Sequence, residues 1–203
     1  MKNHFTHVYI AKMPEEVGNA SEIYPEFRKE YIESAKHCEV RRSRFYVWRL
    51  LEAALRKSLG IDIKNLAFSV DSGRWSTPEC NFSLSHGGGY IAVALSSEPV
   101  GVDIEPISER RSERFAERIL SEEELKEYKN TPTDMRKDYL ISAWTKKEAI
   151  FKSLNKDAFI PQKIDTGSYL CEERILSYPS TKLMLAIAHA GKAPFEIYED
   201  TEI

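Results

Sequence analysis

Apolar residues fall along this chain in short runs broken by turn chemistry, and in two longer stretches with helical spacing. Residues 8–13, opening on the apolar stretch 8–11 and closed by Pro14, predict a first strand. A stretch of mixed acids and bases follows. From Arg41 the period changes: Phe45, Trp48, Leu51, Leu55 and Leu59 recur at three and four residues, predicting a long amphipathic helix that stops at Gly60. Residues 67–70 and 81–85 are short strand candidates, divided by Gly73, Pro78 and polar residues. Residues 90–95 are apolar throughout, as a buried strand is, and after the turn Ser96-Ser97-Glu98-Pro99 residues 100–105 read as the next strand.

The second half is more helical. Ser108 is placed to cap a helix running to residue 120, and Ser121-Glu122-Glu123-Glu124 carries a capping-box signature. A further helix is predicted from residue 133 or 134 to 154. Pro161, Gly167 and Pro179 punctuate shorter segments, residues 183–188 form a last buried strand, and the Glu-rich tail after Tyr198 is expected to fray. The apolar run at 183–188 echoes the one at 90–95, near the end of each half. That is a faint symmetry and says little alone.

Composition narrows the field. The 203 residues suffice for one large or two small domains, and with 42% hydrophobic and 30% charged residues a core needs no disulfide staples. A net charge of −3 gives no chain-wide pull toward nucleic acid or an anionic membrane, so a site for an anion must come from local clustering. Cys38, Cys80 and Cys171 are far apart and none sits in a C-x-x-C pair, which predicts reduced thiols. No apolar run approaches the length of a membrane span, and the run at residues 8–11 is too short for a signal-peptide core; a cytoplasmic protein is expected.

Three constellations can carry chemistry. In Gly101-Val102-Asp103-Ile104-Glu105, strand alternation turns Asp103 and Glu105 to one face and Val102 and Ile104 to the other. Adjacent carboxylates repel, and a hard divalent cation relieves that repulsion; a solvated polar face is the alternative. In Trp144-Thr145-Lys146-Lys147-Glu148-Ala149-Ile150-Phe151-Lys152, Leu140, Ala143, Trp144, Ile150, Phe151 and Leu154 form an apolar helical stripe. Lys147 falls within it, a costly place for a charge unless it snorkels or finds a partner, and this favours a ligand site. Glu148 and Lys152 lie four apart on the flank, where an ordinary helix ion pair is the alternative. In Ser85-His86-Gly87-Gly88-Gly89 the glycines allow a close backbone approach to phosphate, or simply a tight turn between strands. The segment is neither a P-loop nor a serine-hydrolase elbow. Arg41, Arg42, Arg44 and Arg49 crowd the start of the first long helix, where guanidinium forks suit phosphate, although a solvated helix face explains them equally.

Together, in this order and spacing, the motifs resemble those of the Sfp-type phosphopantetheinyl transferases, the surfactin-synthetase-activating branch of that superfamily. The resemblance rests on Ser85-His86, residues 101–105 and residues 144–152, and spans residues 41–190; the first forty residues match poorly. It implies an α/β (α+β) fold, a pseudodimer of two similar halves at residues 1–99 and 100–203 with the active site at their interface. It also implies Mg-dependent transfer of phosphopantetheine from coenzyme A to a serine of an acyl, polyketide or peptidyl carrier protein, by a monomer. Asp103, Glu105 and Glu148 would bind magnesium, with manganese the other candidate. Glu148, directly or through a water, would take the serine proton, and Lys152 would stabilise the leaving group. Lys147 would contact phosphate. Ser85, His86, Arg44 and Arg74 would hold the 3′-phospho-ADP moiety. Gly87 and Trp75 depart from the family's usual serine and proline. Two other readings share these residues: a different Mg-dependent phosphoryl transferase or nuclease, and a non-catalytic relative that only binds coenzyme A or carrier protein.

Overall fold

The computed structural model describes residues 4–71, 73–107, 113–154, 158–191 and 195–203. The fold is mixed α+β, in two compact units: residues 1–98 with 192–203, and residues 99–191. The C-terminus thus rejoins the first unit instead of ending the second, because strand β9 (Phe195–Tyr198) adds in parallel to β1 (Thr6–Lys12). The tail beyond Tyr198 does not fray as expected. The Thr201 N–H donates to the Ile10 carbonyl at 2.9 Å, and Thr201 is buried.

In the N-terminal unit, β4 (Asn81–Gly87) and β5 (Tyr90–Ser96) form a hairpin, and β1 pairs antiparallel with β5, giving the sheet order β4-β5-β1-β9. Helix α2 (Cys38–Leu59) packs on this sheet through Phe45, Trp48, Leu51 and Leu55 against Tyr9, Ile91, Val93 and Leu95. It ends where the sequence places its stop: Gly60 takes φ +65°, a left-handed conformation that glycine adopts without steric cost. The β4–β5 turn is Gly88-Gly89, with φ of 59° and 81° and Gly87 opposite Tyr90. This is a two-residue hairpin turn of the primed type, which requires positive φ at both positions. The glycines therefore have a structural role as a tight turn.

The strand expected at residues 67–70 is β2 (Ser69–Asp71), displaced by a residue or two, while α1 (Glu26–Glu33), β3 (Arg74–Ser76), β7 (Cys171–Tyr178) and β9 escape the hydrophobic pattern. Helix α1 buries only Arg28 and Ile32. The Arg28 guanidinium lies over the rings of Trp48, Trp75 and Tyr31 at 4.4, 4.8 and 5.0 Å and donates to the Arg44 carbonyl at 2.8 Å. Burial pushes its pKa down to about 9.

The C-terminal unit contains β6 (Val100–Pro106), α3 (Glu113–Ile119), α4 (Glu122–Asn130), α5 (Arg136–Leu154), β7 and β8 (Thr181–His189), with sheet order β6-β8-β7. The Ser121 capping box forms as predicted: Ser121 accepts from the Glu124 N–H and Glu124 accepts from the Ser121 N–H. Ser108, the expected cap of the preceding helix, lies outside the described residues.

The two units share one topology. In each, a strand is followed by a long helix and then a hairpin whose second strand lies in the middle: β1, α2, β4–β5 and β6, α5, β7–β8. The apolar runs that hinted at symmetry are β5 and β8, the two central strands.

Candidate active site

The C-terminal unit brings its helix and first strand unusually close. A Cβ added to Gly101 would sit 1.8 Å from the Ala149 carbonyl oxygen and 2.7 Å from the Ser153 nitrogen. Across the sheet Gly101 faces Ala188 and Asp103 faces Ala186, so small residues floor the contact. The alternation read from the sequence is right, and the face carrying Gly101, Asp103 and Glu105 is the one that meets α5. Val102 and Ile104, on the other face, are fully buried.

Along this seam the motif residues pair. Lys152 Nζ donates to Asp103 Oδ1 at 2.8 Å and to the Val102 carbonyl at 3.1 Å. Trp144 Nε1 donates to Glu105 Oε1 at 2.8 Å, its indole flanked by Phe115 and Phe159. Glu148 is half-buried, one helical turn from each of Trp144 and Lys152 on the same row of α5. The strand thus offers two carboxylates and the helix a third, beside a lysine whose side chain is 26% exposed while Asp103 is 7% exposed. The sequence did not reveal that Trp144 holds Glu105, since nothing local links positions 39 residues apart.

Lys147 corrects an expectation. Its side chain is 0% exposed, and Nζ donates to Glu124 Oε2 at 2.6 Å and to the carbonyls of Pro161 and Ile164 at 2.8 and 3.1 Å. An ammonium has three N–H groups, and all three are used inside the unit. None remains for a phosphate. The misplaced charge found its partner in the protein.

In the N-terminal unit the other candidates are scattered over several elements. Arg44, on α2, donates to the Tyr31 carbonyl at 2.6 Å and to Ser34 Oγ at 3.3 Å, and lies 3.8 Å from the Tyr31 ring centroid. Arg41 and Arg42 likewise donate to loop carbonyls, those of Ala35 and Glu15, so much of the arginine cluster ties the preceding loops to α2. Arg74 opens β3 opposite Asp71. Ser85 is buried and its neighbour His86 exposed, as alternate residues of β4.

The donors suit magnesium in kind, since all three are carboxylates, the hard oxygen ligands this ion takes. As they stand, Asp103 and Glu105 are held by Lys152 and Trp144, and among the described residues no three His, Cys, Asp or Glu side chains form a group able to hold a metal ion.

Comparison with known proteins bears directly on this seam. The model of the 4′-phosphopantetheinyl transferase superfamily matches residues 99–166, which include β6 and all of α5. A holo-[acyl-carrier-protein] synthase from Mycoplasmoides gallisepticum is 33% identical over 102 residues, covering 46% of this chain and 86% of that protein. The chain belongs to the 4′-phosphopantetheinyl transferase superfamily. Among other members, the 4′-phosphopantetheinyl transferase Sfp of Bacillus subtilis is 31% identical over 116 residues, and a second B. subtilis 4′-phosphopantetheinyl transferase is 29% identical over 116 residues. Each match covers 55% of this chain and 51% of the relative, so the chain spans about half the length of these two Bacillus proteins. Among the described residues no helix is long and apolar enough to cross a membrane.

The shared topology of the two units allows their positions to be compared. Both hairpins have two-residue turns, so positions can be matched by counting from them. Leu95 of β5 then corresponds to Ala186 of β8, and Val93 to Met184. Their partners are His7 and Tyr9 on β1, and Asp103 and Glu105 on β6. His7 and Tyr9 also face their long helix, both within hydrogen-bonding distance (2.8 Å) of Ser58 Oγ. The same seam is therefore built without carboxylates in one unit and with them in the other.

Proposed function

We propose that this chain transfers the 4′-phosphopantetheine arm of coenzyme A to a serine of an apo carrier protein (acyl, polyketide or peptidyl), releasing 3′,5′-ADP. The observation that carries the reading is the acidic seam: Asp103 and Glu105 occupy positions that the sister unit fills with His7 and Tyr9. Burying a carboxylate costs stability unless it is paired. Since the topology closes without these acids, their presence points to chemistry and not to architecture.

Asp103, Glu105 and Glu148 would hold magnesium, which when bound would neutralise charge on the pyrophosphate of coenzyme A. Glu148 receives the proton of the carrier serine. The serine oxygen forms a bond to the β-phosphorus as the bond from that phosphorus to the bridging oxygen breaks. The electron pair leaves on 3′,5′-ADP, where Lys152 stabilises it. Lys152 suits this task because among the described residues it donates to Asp103 and Val102 alone, which engages two of its three N–H groups, and it is partly exposed. In the N-terminal unit Arg44, Arg74, Ser85 and His86 are the proposed contacts of the 3′-phospho-ADP moiety.

The test is transfer of a fluorescent phosphopantetheine arm from labelled coenzyme A to apo carrier, by wild type and Asp103→Asn. The substitution keeps side-chain shape and removes charge, and is expected to lower turnover at least about 100-fold with a native circular dichroism spectrum. An Asp103→Asn protein that turns over like wild type would remove Asp103 from the chemistry.

A further inference from the structure

One polar cluster of the C-terminal unit lies beside the row of Trp144, Glu148 and Lys152 without belonging to it. Glu124 Oε2 accepts from Lys147 Nζ at 2.6 Å and from the Ser121 N–H at 2.8 Å, so one carboxylate oxygen serves both the N-cap of α4 and the lysine of α5. The remaining N–H groups of Lys147 close on Pro161 and Ile164, at either end of the short turn that follows α5. Three segments distant in sequence thus converge on one ammonium. On the sheet side of the same helix, Gly101 admits the Ala149 carbonyl.

We propose that Lys147 is a positioning residue: with Glu124 it forms an internal latch that fixes the rotation of α5, so that Glu148 and Lys152 face β6. Lys147 immediately precedes Glu148. Pinned to α4 at Lys147 and seated on Gly101 at Ala149, the helix keeps one angular setting. That setting brings Lys152 to Asp103 and Trp144 to Glu105. The kinetic part of this inference rests on the transferase reading; the latch itself does not.

The test is a double-mutant cycle of Lys147→Met, Glu124→Gln and the pair. Glu124→Gln leaves the fully buried Lys147 ammonium without its counter-charge and is expected to lower the melting temperature by about 10 °C; Lys147→Met leaves Glu124, 17% exposed, without its cation and should cost about 5 °C or more. The pair leaves no such charge, so its loss should be well short of the sum. Additive losses, or a Lys147→Met protein that melts like wild type, would overturn the latch. These melts need no turnover, so a wild type inactive on every carrier would refute the transferase reading and still leave the latch decided.

In the transfer assay both single variants should lose about tenfold or more in kcat, with KM for coenzyme A within about twofold, because misplacing catalytic groups by about 1 Å is expensive while ligand contacts are untouched. A rise of about tenfold or more in KM for coenzyme A at unchanged kcat would instead make Lys147 a ligand contact. If Lys147→Met does not fold, the paired variant takes its place, and the same split between kcat and KM decides.

Discussion

Replacing Gly101 with alanine places a methyl carbon where the backbone of α5 already lies. The added carbon would be 1.8 Å from the Ala149 carbonyl oxygen and 2.9 Å from its carbon. Carbon and carbonyl oxygen come no closer than about 3.3 Å in ordinary contacts, so strand and helix must part by about 1.5 Å. Both obstructing groups are backbone, so no rotamer change relieves the clash. Overpacking of this kind costs about 1–3 kcal/mol, and the absence of a yielding side chain puts Gly101→Ala at or above the top of that range. A unit of this size loses about 4–8 °C per kcal/mol, so a cost of about 3 kcal/mol predicts a fall in melting temperature of roughly 12–24 °C. The separation also pulls Lys152 from Asp103 and Trp144 from Glu105, whose bonds are both 2.8 Å long. Catalytic geometry tolerates about 1 Å poorly, so transfer should fall about 100-fold even at a temperature where the variant is folded. Thermal denaturation followed by circular dichroism, with a transfer assay well below the melting point, reads both effects. A variant that melts within 2 °C of wild type and transfers normally would refute the close-packed seam.

Two further predictions follow from the fold. Gly88→Asn suits the first position of a primed turn and should change stability by less than about 0.5 kcal/mol, while Gly89→Val, at φ 81° with nothing within 4 Å of its Cβ, should cost about 1–2 kcal/mol through backbone strain alone. Loss of coenzyme A affinity in an otherwise stable Gly88→Asn protein would restore the phosphate-cradle reading of these glycines. Burial pushes the thiols of Cys80 and Cys171 up to about 11 and about 12, from 9.0. Folded, they stay protonated where the unfolded chain ionises, so their effect is nil below pH 9 and stability falls as pH rises from 9 toward 12. Urea denaturation between pH 9 and 10.5 should show a shallower decline in Cys171→Ala, and equal slopes would contradict the assignment.

What the sequence revealed depended on whether the force at work leaves a periodic trace. Helix α2 and strands β5 and β8 bury apolar side chains and were plain from spacing. Helix α1 buries a cation under three aromatic rings, with no apolar stripe to read, and β7, an edge strand, buries only Leu176. The alternation of Asp103 and Glu105 was legible; their partners on α5 were not, since those pairs form only once the sheet and helix meet. Lys147 is the instructive error. The stripe correctly marked it as a charge in need of a partner, but the partner lies 23 residues away on α4, and no local pattern distinguishes a distant glutamate from a ligand phosphate. The C-terminal strand was missed for the same reason: its mate is β1, at the other end of the chain.

The most direct test of the account is the intact mass of an apo carrier protein after incubation with this protein, coenzyme A and magnesium. The account predicts a gain of one phosphopantetheine, abolished by EDTA and by replacing the carrier serine with alanine. An unchanged mass across acyl, polyketide and peptidyl carriers, with the protein folded and coenzyme A present, would contradict it.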